Sequence, residues 1–580
     1  MDSSNLTASK RWKNRFIKLP SIGSAKSNDI STYSEDDENL EEIAHLAAAE
    51  PVNEFDITQR NVAQLTNRNS HGNIEPRITE ELWKDLESKL SENDLPSFRK
   101  QSLSPGANRV SRTMTPELET EAQLQIIYQA KQYQMMLFAV LVIFANSMSF
   151  LTFSEMNSKC AETFYEVDGK QMVDYLAVVF LLMYPFGSFF TNSVVFTKGI
   201  KFSLSTGTTI TLSGYTLRII SLYLPPHSYH RYNCVLIGQF LLGFSQPMLL
   251  NPIIKIANNW FAPLERDWMA SLMFLGHPFG IVAGIVLSNN VMTEGGCRMG
   301  YDFKVMFWIQ ITVTIVGWCC ICFFEDTPPS PPSVSNRVML QSAKSRRDEV
   351  EVQNLNVLIC TEFKWLVTNP DFRLLSLAFV CFYLLMYNTL IETTKTEMAT
   401  EYGYSVAKMA SCANSFVFGT LFGTFLYGMA MTFNGYHSTR KIGSFALVFA
   451  LLFYECWIAF HGTSAYPQVG YFIFASIGMP LVPVSLITAA EITYDVPEEF
   501  FVGMLFSLGN IGIILKYALC GQDIQDSSIQ NRTIQVIIAI IGCFISCQSR
   551  GLYKRAKAEK MTDFKLGEHQ SFEDSLKQRS

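Results

Sequence analysis

From Met135 to about Ser549 the chain alternates runs of roughly 18 to 23 apolar residues with short polar breaks, the length at which a helix crosses a hydrocarbon core about 30 Å thick. Lipid offers no hydrogen bonds, so each run must close its own backbone bonds as a helix. The expected spans are Met135–Glu155, Tyr175–Phe196, Phe202–Tyr223, Val235–Ile256, Met269–Val291 and Val305–Phe324, then Leu374–Ile391, Met409–Met431, Ile442–Phe460, Tyr471–Ala490, Phe501–Cys520 and Ile534 to about Ser549. That reading is an all-α membrane protein of twelve transmembrane helices in two six-helix bundles.

The remaining sequence is polar and sorts into three pieces. Residues 1–126, with stretches such as "SEDDENLEEIAHLAAAE", are expected to form a mostly disordered arm. Residues 325–371, with "EDTPPSPPSVSNR" and "KSRRDEVEV", read as a linker between a bundle at 135–324 and a second at 372–549, and residues 550–580 as a tail. Lys/Arg-rich breaks, "TKGIK", "STRKIG", "KSRRDE" and "RGLYKRAKAEK", assign their side to the cytosol, with both termini there. The N-terminus has no signal-peptide core, so the first apolar run must itself engage the membrane. The membrane expected is the plasma membrane or a vacuolar or lysosomal one. The Asn531-Arg-Thr sequon then falls outside as a glycosylation acceptor, and Cys160 and Cys297 lie in outer loops where they could bridge.

A net charge of −6 and the lack of a basic stripe among aromatics argue against nucleic acid as a partner. The 13 cysteines show no paired metal-ligand spacing, and no nucleophile–base or phosphate-cradling constellation stands out. No enzyme, metal or cofactor is therefore expected. The partners left are the bilayer and a small-molecule solute, handled by a single chain.

Shifting the sequence by 233 residues lays Pro247–His277 over Pro480–Asn510 without a gap. Pro247, Ile254, Ala257, Glu265, Leu272, Leu275 and Gly276 meet identical residues at Pro480, Ile487, Ala490, Glu498, Leu505, Leu508 and Gly509. A repeat of this kind fits halves that rock about a shared site to give alternating access.

Polar groups inside apolar runs cost several kcal/mol each when they face lipid, which directs them inward. In "GQFLLGFSQPMLLNPIIKIANNWF" the residues Gln239, Gly243, Gln246 and Leu250 fall on one helical face. Asn146 and Phe150 in the first span, and Tyr383 and Tyr387 in the seventh, form comparable faces, and aromatic rings there can hold a cation at roughly 0.5 to 2 kcal/mol each. Ordinary packing or an interhelical hydrogen bond is the competing reading for every one of these. His277 and Asn510 are equivalent in the repeat. Arg218, Glu455 and Lys516 lie well inside their runs, where an unpaired charge costs at least about 2.5 to 3.5 kcal/mol. Each is expected either in a structural ion pair or as a gating or proton-coupling group. Glu265, Arg266, Glu491 and Glu498 are expected in the contacts that order opening and closing.

With "GQFLLGFSQ" running into "WFAPLER", with "EITYDVPEEFFVG" and with "TKGIK", the chain from Met135 to Tyr553 resembles the feline leukaemia virus subgroup C receptor-related transporters, solute carrier family 49 of the major facilitator superfamily. The resemblance implies a uniporter or facilitator for choline and ethanolamine, with haem also claimed for the family and pyridoxine for a lysosomal branch. It implies an aromatic cage closed by two amides, carried here by Gln246 and Tyr387, with Phe150 at the position of a family tryptophan and Asn510 at that of a glutamine. Phe196 stands where the family has an aspartate between spans 2 and 3, so that closing contact must be built otherwise. The substrate-binding set expected is thus Asn146, Phe150, Gln246, His277, Tyr387 and Asn510. A receptor or sensor that keeps the transporter fold and signals through its arm is the alternative.

Overall fold

The computed structural model describes residues 116–549 apart from 154–157, 168–169, 227–228, 264, 292–300, 329–354, 393–405, 462–465, 495 and 526–527, and it describes Arg555. The arm up to residue 115, the Pro-rich start of the linker and Cys297 lie outside the described residues.

Every regular element described is a helix. In chain order they are α1 (Pro116–Ser147), α2 (Ser158–Tyr165), α3 (Lys170–Lys198), α4 (Ile200–Ser221), α5 (Tyr229–Leu250), α6 (Ile253–Trp260), α7 (Arg266–Phe274), α8 (Gly276–Val291), α9 (Tyr301–Cys322), α10 (Leu355–Thr368), α11 (Pro370–Glu392), α12 (Val406–His461), α13 (Pro467–Gly478), α14 (Leu481–Ile492), α15 (Glu498–Gln525) and α16 (Ser528–Gln548). α10 and the first residues of α11 occupy the end of the segment read as a linker.

The expectation of twelve spans in two six-helix bundles is overturned. Among the described residues eight helical segments are long and apolar enough to cross a membrane: Gln171–Lys198, His230–Trp260, Arg266–Ser288, Tyr301–Cys322, Pro370–Ile391, Ser411–Tyr454, Pro467–Ile492 and Glu498–Ala518. The shortfall has local causes. The first run stops being helical at Ser147, before its apolar stretch ends. α4 is long enough at 22 residues, but hydroxyls dilute it. Thr208, Thr209, Thr211, Ser213 and Thr216 each donate to the carbonyl four residues back, which satisfies them without a partner helix. The eighth and ninth expected spans share the single stretch Ser411–Tyr454, bent at Gly435, whose φ of 71° only glycine adopts at no steric cost. At the C-terminal end, the apolar helix Thr533–Gln548 falls short of a span.

The apolar outer face is that of a multi-pass membrane protein: Phe186, Phe189, Phe422, Phe425, Phe445 and Phe449 are all exposed, where water would make such a surface an aggregation hazard. Inside, helices approach closely. A Cβ added at Gly276, Gly280 or Gly284 of α8 would run into the carbonyls of Val140 and Phe144 on α1 and of Met148 in the turn after it, so this one-per-turn glycine stripe lets the two backbones touch.

The repeat is visible in helix ends. α6 stops at Trp260 and α7 starts at Arg266, while α14 stops at Ile492 and α15 starts at Glu498, in register with the 233-residue shift to within a residue. The repeat is inexact elsewhere. α5 yields to α6 at Asn251–Pro252, five residues after the proline that pairs with the Pro480 break, and α15 runs unbroken where its counterpart divides at Leu275.

Candidate functional site

Tyr383 and Tyr387, one turn apart on α11, bring their rings within 4.1 Å of each other. Tyr383 donates to Asn510 Oδ1 on α15 at 2.9 Å, and its ring meets Phe379 and Phe506 at 5.6 and 5.8 Å. His277 of α8 lies against the Tyr387 ring, centroids 5.5 Å apart, and its Nδ1 shares a 2.7 Å hydrogen bond with Ser147 Oγ at the end of α1. α1, α8, α11 and α15 thus converge on one aromatic and amide cluster. Tyr387 is 1% exposed and Asn510 1%, yet among the described residues Tyr387 Oη and Asn510 Nδ2 have no hydrogen-bond partner. Leaving a buried donor unpaired costs about 1 to 3 kcal/mol, so each of these two donors is a group that a bound solute would satisfy.

The remaining expected residues distribute around this cluster. Gln246 is buried on the inner face of α5, together with Gln239 and Leu250. Phe150 sits in the turn after α1 and packs on Phe180 of α3 at 5.2 Å. Asn146 turns the other way. Its amide nitrogen donates to Thr211 Oγ1, Leu242 O and Ser245 Oγ at 3.0–3.1 Å, tying α1 to α4 and α5.

Three side chains of this region were not singled out from the sequence. Tyr184 of α3 donates to Asn251 Oδ1 at 2.7 Å, Asn251 donates to Ser188, and Phe506 stacks on Phe274 and meets Tyr184, Phe379 and Tyr383 at steeper angles. The four-residue step from Phe506 to Asn510, matching that from Tyr383 to Tyr387, was the available signal.

The buried charges behave differently from expectation. Arg218 is fully buried, but no carboxylate is among its partners: it donates to Gln239 Oε1, to Ser149 O at 3.1 Å and to Gln310 Oε1 at 3.3 Å. The rings of Phe153, Tyr215 and Phe307 lie 5.3–5.6 Å from its guanidinium. Charged hydrogen bonds worth about 1.5 to 3 kcal/mol each, with cation–π contacts, offset the insertion cost without a counter-ion. The expected ion pair is therefore replaced by amides. Lys516 likewise finds an amide, donating to Asn388 Oδ1. The Glu455 and Asn531 side chains lie outside the described residues, with Asn531 in the first turn of α16. Cys160 carries a free thiol.

At another end of the helices, α6 and α15 are locked together. Lys255 pairs with both oxygens of the buried Glu499 at 3.0 and 3.1 Å. Asn258 donates to Glu498 Oε1 and accepts from Arg555, both at 2.8 Å. Of the acids expected here, Glu498 takes part, Glu491 accepts from Tyr436 Oη at 3.4 Å, and Glu265 is exposed at the start of α7. Arg266 lies 3.7 Å from Asp267. Where the resembled family has an aspartate after span 2, Asp326 from beyond α9 closes on the α3–α4 turn and accepts from Lys201 N at 2.5 Å.

The geometry agrees with what the chain matches. Residues 135–515 fit the family description Major Facilitator Superfamily. The chain is 21% identical over 468 residues to "Solute carrier family 49 member A3" of Danio rerio, covering 77% of this chain and 92% of that protein. To the Xenopus tropicalis protein of the same name it is 23% identical over 352 residues, covering 59% and 68%. Its fold is similar to that of a proton:xylose symporter bound to 6-bromo-6-deoxy-D-glucose, with TM-score 0.57, 11% identity, and 73% and 98% of the two chains covered. It is also similar to the E. coli fucose:proton symporter, with TM-score 0.52, 10% identity, and 73% and 99% covered. Among the described residues no His, Cys, Asp or Glu side chains group as metal ligands. A multi-pass helical chain whose matched region takes in every buried amide and ring of the central cluster belongs to the Major Facilitator Superfamily of membrane transporters.

Proposed function

We propose that this transporter moves a small cationic amino alcohol, choline or ethanolamine, by alternating access through the Tyr387–Asn510 cluster, and that it belongs to the solute carrier family 49 branch. The observation that carries the reading is the pair of buried donors, Tyr387 Oη and Asn510 Nδ2, unpartnered among the described residues, beside two tyrosine rings 4.1 Å apart and tilted 34°. A quaternary or primary ammonium is held by π-faces, and the hydroxyl of such a solute accepts from a phenol or an amide. Gln246, His277 and Phe150 complete the binding set, and Asn146 holds α1 against α4 and α5 behind it. Haem is less well served: among the described residues the cluster offers no cation for its two carboxylates.

In this reading the Lys255–Glu499 pair and the Arg555–Asn258–Glu498 chain are the cytosolic gate, closed when the site faces outward. The positive-inside pattern of "TKGIK" and "RGLYKRAKAEK" supports that orientation, with both termini cytosolic. Uptake of labelled choline, ethanolamine, pyridoxine and haem by cells making the full chain tests the proposal. Saturable choline or ethanolamine uptake that falls in Asn510→Ala and Gln246→Ala supports it, whereas uptake of neither above background rejects it.

A further inference from the structure

We infer that Arg218 is a positioning residue that caps the broken end of α1 and thereby fixes the turn carrying Phe150; this rests on the solute-site reading above. α1 stops at Ser147, and the chain passes through 148–153 as turns within the protein interior. Ending a helix there frees carbonyls that must find donors. The donors come from four neighbouring helices. Tyr215 Oη donates to Ala145 O at 2.8 Å, Gln310 Nε2 to Met148 O at 3.2 Å, and Ser288 Oγ to Thr152 O at 3.0 Å. Ser149 O accepts twice, from Arg218 Nη2 at 3.1 Å and Gln239 Nε2 at 3.3 Å.

Arg218 organises this set. Its Nη2 binds Gln239 Oε1 and its Nη1 binds Gln310 Oε1, so one planar guanidinium orients two amides whose NH2 groups both donate into the 148–149 turn. Gln310 also donates to Thr152 Oγ1 at 3.0 Å, extending the grip past Phe150. A cation at the C-terminal end of a helix is favoured by its dipole, which gives the buried charge a use that needs no counter-ion. Lysine has neither the planar fork nor the reach to orient both amides and the carbonyl together. The charge thus serves the backbone of the turn rather than an ion pair or a proton relay.

The test uses the full chain, purified and reconstituted, as the parent, Arg218→Lys and Arg218→Met, with hydrogen exchange and choline uptake read on the same preparations. The Met148, Ser149 and Phe150 amides, bonded to Phe144, Asn146 and Ser147 carbonyls, should exchange about tenfold faster in both variants, with α11 and α15 unchanged. Choline KM should rise about fivefold or more, while the maximal rate per transporter changes less than about twofold. Should Arg218→Met not fold, Gln239→Met removes one arm of the fork and should speed the same amides about threefold. Unchanged exchange at 148–150 in Arg218→Lys overturns the cap. Faster exchange with an unmoved KM in a parent that transports choline overturns the positioning role. A parent that exchanges as described but does not carry choline overturns the solute assignment alone, and the exchange comparison still decides the cap.

Discussion

Tyr383 donates its phenol proton to Asn510 Oδ1 across the α11–α15 contact at 2.9 Å, which commits the oxygen of that amide and leaves its nitrogen, 1% exposed as part of Asn510, without a partner among the described residues. Under the proposed function the bond fixes which end of Asn510 faces the solute. Tyr383→Phe removes the restraint but keeps the ring. It should weaken solute affinity about two- to tenfold, as one hydrogen bond of roughly 0.5 to 1.5 kcal/mol implies, with protein abundance unchanged. Competition binding with increasing unlabelled choline measures it.

Lys255 and Glu499 make an unequal pair, since the carboxylate is fully buried and the ammonium is 17% exposed. Removing the lysine strands a buried charge; removing the carboxylate leaves an ammonium that can still reach water. Lys255→Met should therefore lower the melting temperature more than Glu499→Gln, the former by about 3 kcal/mol equivalent and the latter by about 1. Thermal unfolding of the two purified variants checks the order, and equal losses would contradict the inequality.

Arg555 lies 297 residues beyond Asn258 in sequence, yet donates to it at 2.8 Å while Asn258 donates on to Glu498. Arg555→Ala breaks the chain of bonds at its outer end. It should speed amide exchange at the start of α15 about threefold and leave the Tyr383–Asn510 region unaltered. Hydrogen exchange on the full chain measures both regions at once.

Gly280 meets the Phe144 carbonyl of α1 with no room for a side chain. Gly280→Leu must push α8 from α1 and should destabilise by about 1 to 3 kcal/mol, disturbing His277 and its bond to Ser147 on the way. Melting temperature and choline affinity should fall together.

Hydropathy made the helical membrane character legible, and the inward faces of α5 and α11 followed from four-residue spacing. Span count was misread for a physical reason. Periodicity and apolar length register composition, whereas Ile200–Ser221 hides its hydroxyls by bonding its own backbone, and a run such as Met135–Glu155 stays apolar after its helix has stopped at Ser147. The 233-residue shift pairs His277 with Asn510 and the turn spacing pairs Tyr383 with Tyr387, and the structure brings these residues into one cluster. Tyr184, Asn251 and Phe506 were not singled out, since their roles arise only when α3, α5 and α15 pack. Lys255 with Glu499, and Asn258 with Arg555, join residues more than 240 positions apart, and nothing local to either residue names its partner. For Arg218 the ion pair named as one alternative is replaced by glutamines and a freed carbonyl, partners that no local pattern names.

The central claim is that Tyr387 and Asn510 hold the solute. Equilibrium binding of labelled choline to the purified full chain, compared among the parent, Tyr387→Phe and Asn510→Ala, measures it most directly. The account predicts saturable binding to the parent, weakened about two- to tenfold by loss of the phenol hydroxyl and at least as much by loss of the amide. Binding of equal affinity in all three would contradict it.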